Sequence, residues 1–150
     1  MKRSPLSKFG KFPSTQAKRR IQALLRELAI QRDGGCVLRI FPEAGPCGPR
    51  RSDGQLILQA DHLVSRARSV SFGDMRNIVC LCRNHHIYFK QRHGRLYWDL
   101  IQKAIGPERW EWISRVERDQ KAYPMSLADW LKIEMALKQE LAMQSLQAAA

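Results

Sequence analysis

Acidic residues, cysteines and long apolar runs are all scarce in this chain of 150 residues, and each scarcity excludes something. Asp and Glu total 14 against 26 Lys and Arg, for a formal net charge of +12. A polyanion is therefore the natural partner, nucleic acid before any other. An anionic membrane surface fits less well, because the basic segment has no strong amphipathic anchor. The longest aliphatic/Cys run in the middle of the chain, Ile78 to Cys82, is five residues, far short of the roughly 18 needed to span a bilayer. No apolar stretch follows the basic Met1-Lys2-Arg3-Ser4-Pro5, so no secretory signal is expected and a reducing, cytoplasmic setting is the default. Four cysteines in such a setting are better read as metal ligands or core thiols than as disulfides.

The positive charge is unevenly distributed. Residues 1–35 carry nine bases and two acids, residues 36–93 nine and four, and residues 94–150 eight of each. Residues 1–13, with two prolines and a glycine among their bases, read as a flexible basic arm. Over 14–35, Ile21, Leu24, Leu25 and Leu28 recur at helical spacing, which predicts a basic helix that Ser14 or Thr15 can cap and Asp33-Gly34-Gly35 ends. Lys18, Arg19, Arg20 and Arg26 lie off its apolar stripe, as a solvated face or as phosphate contacts. Residues 36–54 read as a loop, and a loop that long in a compact domain needs a tie such as a metal joining Cys36 to Cys47. A strand over Gln55–His62, a loop over Arg66–Arg76, a second strand over Asn77–Cys82 and a helix from Cys82 to about Gly94 follow. Leu96, Leu100, Ile101 and Ile105, then Trp110, Ile113 and Val116 beyond Gly106-Pro107, predict two further helices. Ser126 to Asp129 resembles a capping box ahead of a last helix marked by Trp130, Ile133, Leu137 and Leu141. The four tryptophans fall on these stripes as core residues. The fold class expected is α+β and mainly helical: a strand–loop–strand–helix core at 36–93, a basic N-terminal helix at 14–35 and a helical extension at 94–150.

Metal-ligand and hydrogen-bonding residues concentrate in the core. Adjacent residues on a helix point about 100° apart, so His85 and His86 cannot comfortably share one ion. Cys82 and His85, three apart, lie on one face and with Cys36 and Cys47 make a Cys3His set suited to tetrahedral structural zinc. Cys80 is either a buried thiol or a replacement ligand. The second group is Asp61, His62, Asn77 and His86. Arg66, Arg68, Arg76, Arg83 and Arg92 surround it as DNA phosphate contacts that would set register without reading bases. Asp74 reads as a turn residue, and His93 as a further metal-ligand candidate.

The order Asp-His…Asn…His, in Gln59-Ala-Asp-His62 and Asn77-Ile-Val-Cys-Leu-Cys-Arg-Asn-His-His86, resembles the HNH (ββα-metal) nuclease superfamily. His85 stands where that family commonly has its second zinc cysteine. The segment Gly94-Arg-Leu-Tyr-Trp-Asp-Leu-Ile-Gln-Lys-Ala-Ile-Gly106 is similar to the tail of the phage NinG (Rap) recombination nucleases. The resemblance implies a zinc-stabilised ββα-metal core and a metal-dependent DNA endonuclease, acting in the host cytoplasm on branched or junction DNA. It implies His62 as general base, Asp61 and His86 as ligands of catalytic Mg2+ or Mn2+, and Asn77 as the residue that fixes the loop and orients His62. A homodimer would suit a two-fold symmetric junction. A packaging-associated or homing-type HNH nicking enzyme is the neighbouring alternative. A non-catalytic zinc-stabilised DNA-binding module, or a protein acting on RNA, are the alternatives of another class.

Overall fold

In the computed structural model of the chain, residues 13–65, 69–119 and 124–149 are described. The arm expected at 1–13 falls outside them except for Pro13. The elements are α1 (Pro13–Asp33), β1 (Leu58–His62), α2 (Ser69–Phe72), β2 (Ile78–Cys82), a π-helical turn (Asn84–Phe89) running into α3 (Lys90–Arg92), α4 (Gly94–Ile105), α5 (Pro107–Arg118) and α6 (Leu127–Ala149). The architecture is α+β and mainly helical, with one antiparallel pair of strands among the described residues. Among the described residues no helix is long and apolar enough to cross a membrane.

The second strand explains how the layers are arranged. Every residue of Ile78–Cys82 is buried. Successive side chains of a strand point to opposite faces, so a strand that is apolar throughout must be covered on both. Val79 and Leu81 pack with Tyr97, Leu100 and Ile101 of α4 and Ile113 of α5. Ile78 and Cys80 pack with Ile21, Leu25 and Leu28 of α1 and with Trp130 and Leu137 of α6. The hairpin therefore lies between two helical layers, each with its own apolar core.

Local sequence sets most element ends. The described span of the first helix, Pro13–Asp33, already contains Ser14 and Thr15, so the residues expected as caps lie inside the helix, and Pro13 ahead of them suits a first helical turn. The helix stops where Gly34 takes a φ of 62° and its N–H donates to the Ile30 carbonyl at 3.0 Å. The first strand is shorter than Gln55–His62. Leu58 pairs with Cys82, after which the chain turns helical, so residues 55–57 have no partner strand beyond an isolated bridge between Arg50 and Leu56. The expected 36–54 loop contains 3-10 turns at Val37–Ile40 and Pro42–Ala44. The expected Arg66–Arg76 loop contains α2 and a 3-10 turn, Met75–Asn77, that Asp74 caps by accepting from Arg76 N at 2.8 Å. The capping box before α6 forms in both directions: Asp129 Oδ2 accepts from Ser126 N at 2.9 Å and Ser126 Oγ from Asp129 N at 3.2 Å.

Candidate functional site

Cys36 follows the glycine turn that ends α1, Cys47 lies in the following loop, Cys82 closes β2, and His85 sits on the π-helical turn. A Cβ on Gly48 would stand 2.9 Å from Asn84 Nδ2, and Asn84 N donates to the Gly48 carbonyl at 2.8 Å. Glycine thus lets the loop lie against the start of the helix, which carries Cys47 to His85. The ligand atoms of all four residues lie within 4.8 Å of one another, and His85 Nδ1 is 3.2 Å from Cys36 Sγ and 3.8 Å from Cys47 Sγ. Tetrahedral zinc at ordinary Zn–S and Zn–N lengths sets neighbouring donors about 3.6–3.8 Å apart. His85 Nε2–H donates to the Ala44 carbonyl at 3.1 Å, which leaves the Nδ1 lone pair facing the sulfurs, as a ligating imidazole requires. A hydrogen bond from Cys36 holds the Cys82 thiol well below its usual range, with His85 assisting, while the Cys36 thiol is pushed up in return. These four residues can hold a structural metal ion such as zinc. Cys80 is not among them: it lies in the core on the α1–α6 side, where burial pushes its thiol up to about 12.

His86, one residue further round the helix, turns to the first strand instead. Its Nδ1–H donates to Gln59 Oε1 at 2.7 Å, and its Nε2 lies 3.2 Å from Asp61 Oδ1. With the proton on Nδ1, two lone pairs face each other across that gap, an arrangement that needs a proton or a cation between them. The other carboxylate oxygen, Oδ2, accepts from Lys90 Nζ at 2.6 Å and from the Tyr97 hydroxyl at 2.5 Å. Burial to 5% exposure would raise Asp61, but a bond from His86 in its doubly protonated form, with Lys90 and Tyr97, outweighs it and holds the carboxyl below its ordinary value. His62 packs on Phe72, ring centroids 5.1 Å apart, and its Nε2 donates to the Phe72 carbonyl at 3.1 Å, so Nδ1 is the basic nitrogen. Asn77 is fully buried; its Oδ1 accepts from Val64 N at 2.6 Å and its Nδ2 donates to the carbonyls of Val64 and Ser71 at 3.2 and 3.0 Å. It ties together both arms of the connection between the strands, and bears on His62 through Phe72, the neighbour of Ser71. Asp61, His62 and His86 line one open groove of about 600 Å³, and Gln22 and Arg26 of α1 line it with them.

Of the five arginines singled out in the sequence, the three among the described residues, Arg76, Arg83 and Arg92, do not line the groove. Arg66 and Arg68 lie outside the described residues. Arg76 is bonded by both ends of its guanidinium to Asp74 at 2.7 and 3.0 Å, lies 4.2 Å over the Trp112 ring, and lines a separate concavity at the start of α5. Arg83 and Arg92 are exposed but not on the groove wall, and His93 packs on Phe89 away from it. Trp130 is buried, and Trp98, Trp110 and Trp112 are partly buried against the other core.

Several residues of the site were missed in the sequence. Lys90, one helical turn after His86, and Gln59, two residues before Asp61, both have the spacing of a shared face; Tyr97 has no local signal. Arg32 and Arg109 are also hidden: from α1 and α5 they both donate to the carbonyls of Met75 and Ile78, clamping the segment that carries Asn77. Burial lowers the Arg109 guanidinium to about 10, the nearby Arg32 adding to the effect. Compared with models of known protein families, with curated proteins and with solved structures, the chain matches none.

Proposed function

We propose that the protein is a metal-dependent endonuclease of the HNH type that hydrolyses phosphodiester bonds in DNA, with branched or junction DNA in phage recombination as its substrate. The observation that carries the reading is the divergence of two adjacent histidines. His85 turns to three cysteines, while His86 turns to Asp61 across 3.2 Å in a groove shared with His62. A zinc-tied loop then serves as scaffold, and the groove as the reaction site.

The donor set fits a hard divalent cation. Octahedral coordination at Mg2+ distances sets adjacent ligand atoms about 3 Å apart, close to the 3.2 Å between Asp61 Oδ1 and His86 Nε2. These two residues would hold Mg2+ or Mn2+, which would supply Lewis acidity at the scissile phosphate and the departing 3′-oxygen. His62 Nδ1 takes a proton from the attacking water. The water oxygen bonds to phosphorus as the P–O3′ bond breaks, and the 3′-oxygen takes its proton from solvent. The products are 5′-phosphate and 3′-hydroxyl ends. Asn77 keeps the loop, and through it the Phe72 carbonyl that fixes the His62 tautomer.

Cleavage of linear duplex and four-way-junction DNA, with Mg2+, with Mn2+ and with EDTA, tests the proposal. Metal-dependent cutting is expected, and His62→Ala should slow it by about 10²–10⁴-fold, the range for loss of a general base. A His62→Ala protein that cuts as fast as wild type overturns the mechanism. The engagement of Asp61 by Lys90 favours one second reading, a binding module without catalysis. A folded, metal-loaded wild type that binds DNA and never cuts would establish that one instead.

A further inference from the structure

We infer that Arg26 is a phosphate clamp in the wall of this groove, holding the nucleic-acid backbone along it. The inference rests on the nucleic-acid reading above but not on catalysis.

Most bases of α1 are engaged within the protein. Arg20 grips Glu134 with two bonds of 2.9 Å, Lys18 lies 4.7 Å over the Trp130 ring, and Arg32 bonds Asp33 and two backbone carbonyls. Arg26 differs. It is exposed, and its one bond among the described residues is from Nε to the Leu58 carbonyl at 2.9 Å. A guanidinium has five N–H donors in a planar fork, so this anchor fixes the plane over the first residue of β1 and leaves both terminal nitrogens to an incoming group. Gln22, one turn earlier, lines the same groove. Asp61 is the one carboxylate among the groove's described lining residues, and Lys90 already pairs with it. An anion entering the groove thus meets an anchored arginine, and the one acid among the described lining residues is already paired. Phosphate matches such a fork with two bonds, and lysine cannot reproduce that geometry.

Leu58 and His62 are four residues apart on one strand, about 13 Å at the usual rise. Arg26 is therefore set to hold a phosphate other than the scissile one, and its role is to bind and align.

The test is DNA binding by fluorescence anisotropy in EDTA, using a labelled duplex and a labelled four-way junction over a range of salt. Arg26→Gln should weaken binding by about tenfold and lower the slope of log K against log salt by about one, the signature of one lost phosphate contact. Arg26→Lys should restore the slope and only part of the affinity. Gln22→Glu leaves the Arg26 anchor in place and should also weaken binding, so the prediction stands even where Arg26→Gln disturbs the fold. Arg118→Gln is the matched control, because that exposed side chain likewise bonds a carbonyl through Nε, at 3.2 Å to Ser114, away from the groove. Wild-type affinity and slope in both Arg26→Gln and Gln22→Glu, or an equal loss in Arg118→Gln, overturns the inference. Arg26-dependent binding without cleavage would sink the nuclease reading alone; metal-dependent cleavage indifferent to Arg26 would sink the clamp alone.

Discussion

Asp61 is a buried carboxylate with divided duties. Its Oδ2 takes Lys90 and Tyr97, and its Oδ1 faces His86. Those two bonds on Oδ2 stop the carboxylate rotating, so a single oxygen is presented beside the imidazole. Tyr97 is fully buried and its hydroxyl bonds a charged acceptor, so Tyr97→Phe should cost about 1.5–3 kcal/mol, the range for hydrogen bonds to charged groups. Urea denaturation would measure it as a lower midpoint at unchanged slope. The variant should also bind Mn2+ more weakly, read by the paramagnetic resonance of the free ion, because Lys90 is then left as the one described anchor on Asp61 Oδ2. Asp61, His62 and His86 could be picked from the sequence because adjacent polar residues at strand ends are conspicuous in an apolar setting. Tyr97 could not: it lies 36 residues from Asp61 on another helix, where its side chain looks like one more core aromatic.

At the scale of elements, the loop from Cys36 to Cys47 is seated by apolar packing of Val37, Leu38, Phe41 and Ala44, but few hydrogen bonds fix its far end near Cys47. Its regular structure amounts to two 3-10 turns, and the carbonyls of Ala44 and Gly48 each accept one hydrogen bond at the helix start, from His85 and from Asn84. A metal-bound cluster would turn those few contacts into a fixed corner of the core. Purified protein should therefore carry about one zinc per chain by mass spectrometry of metals, and Cys36→Ala should lose the metal and much of its thermal stability. Cys80→Ala should keep the zinc and lose about 1 kcal/mol, an ordinary core truncation. Retention of zinc by folded Cys36→Ala would sink the assignment. The cluster was legible in two parts: i, i+3 spacing joins Cys82 to His85 and separates His86, and the length of the loop pointed to a tie between Cys36 and Cys47. The strand length was not legible: the pattern over residues 55–57 suits a strand, but their partner would lie beyond Cys82, where the chain has already become helical. The same holds for α2, four residues whose helical turn is fixed by the fold around it and not by any periodicity of its own.

At the scale of the whole molecule, α1 and α6 are joined as one layer, although they lie at opposite ends of the chain. The join is apolar around Ile21, Leu25, Trp130 and Leu137, and it is crossed by Glu134, whose carboxylate accepts from both Arg20 and Lys138. The bonds from Arg20 and Lys138 outweigh desolvation and hold Glu134 down to about 2 from an ordinary 4.5. A carboxyl lowered on folding stabilises the native state above its unfolded value, and that contribution fades as pH falls toward the folded value. Wild type should accordingly be more stable than Glu134→Gln by a constant margin at pH 5 and above. The margin should shrink from pH 4.5 downward and close near pH 2. Arg20 is 49% exposed while Glu134 is 5% exposed at its side chain, so salt screens only part of the pair. Urea midpoints of the two proteins across this range, repeated in high salt, should show a smaller margin that survives in part. A margin independent of pH would mean that Glu134 contributes to this interface by packing, and that its charge is incidental to how the two ends of the chain are held together.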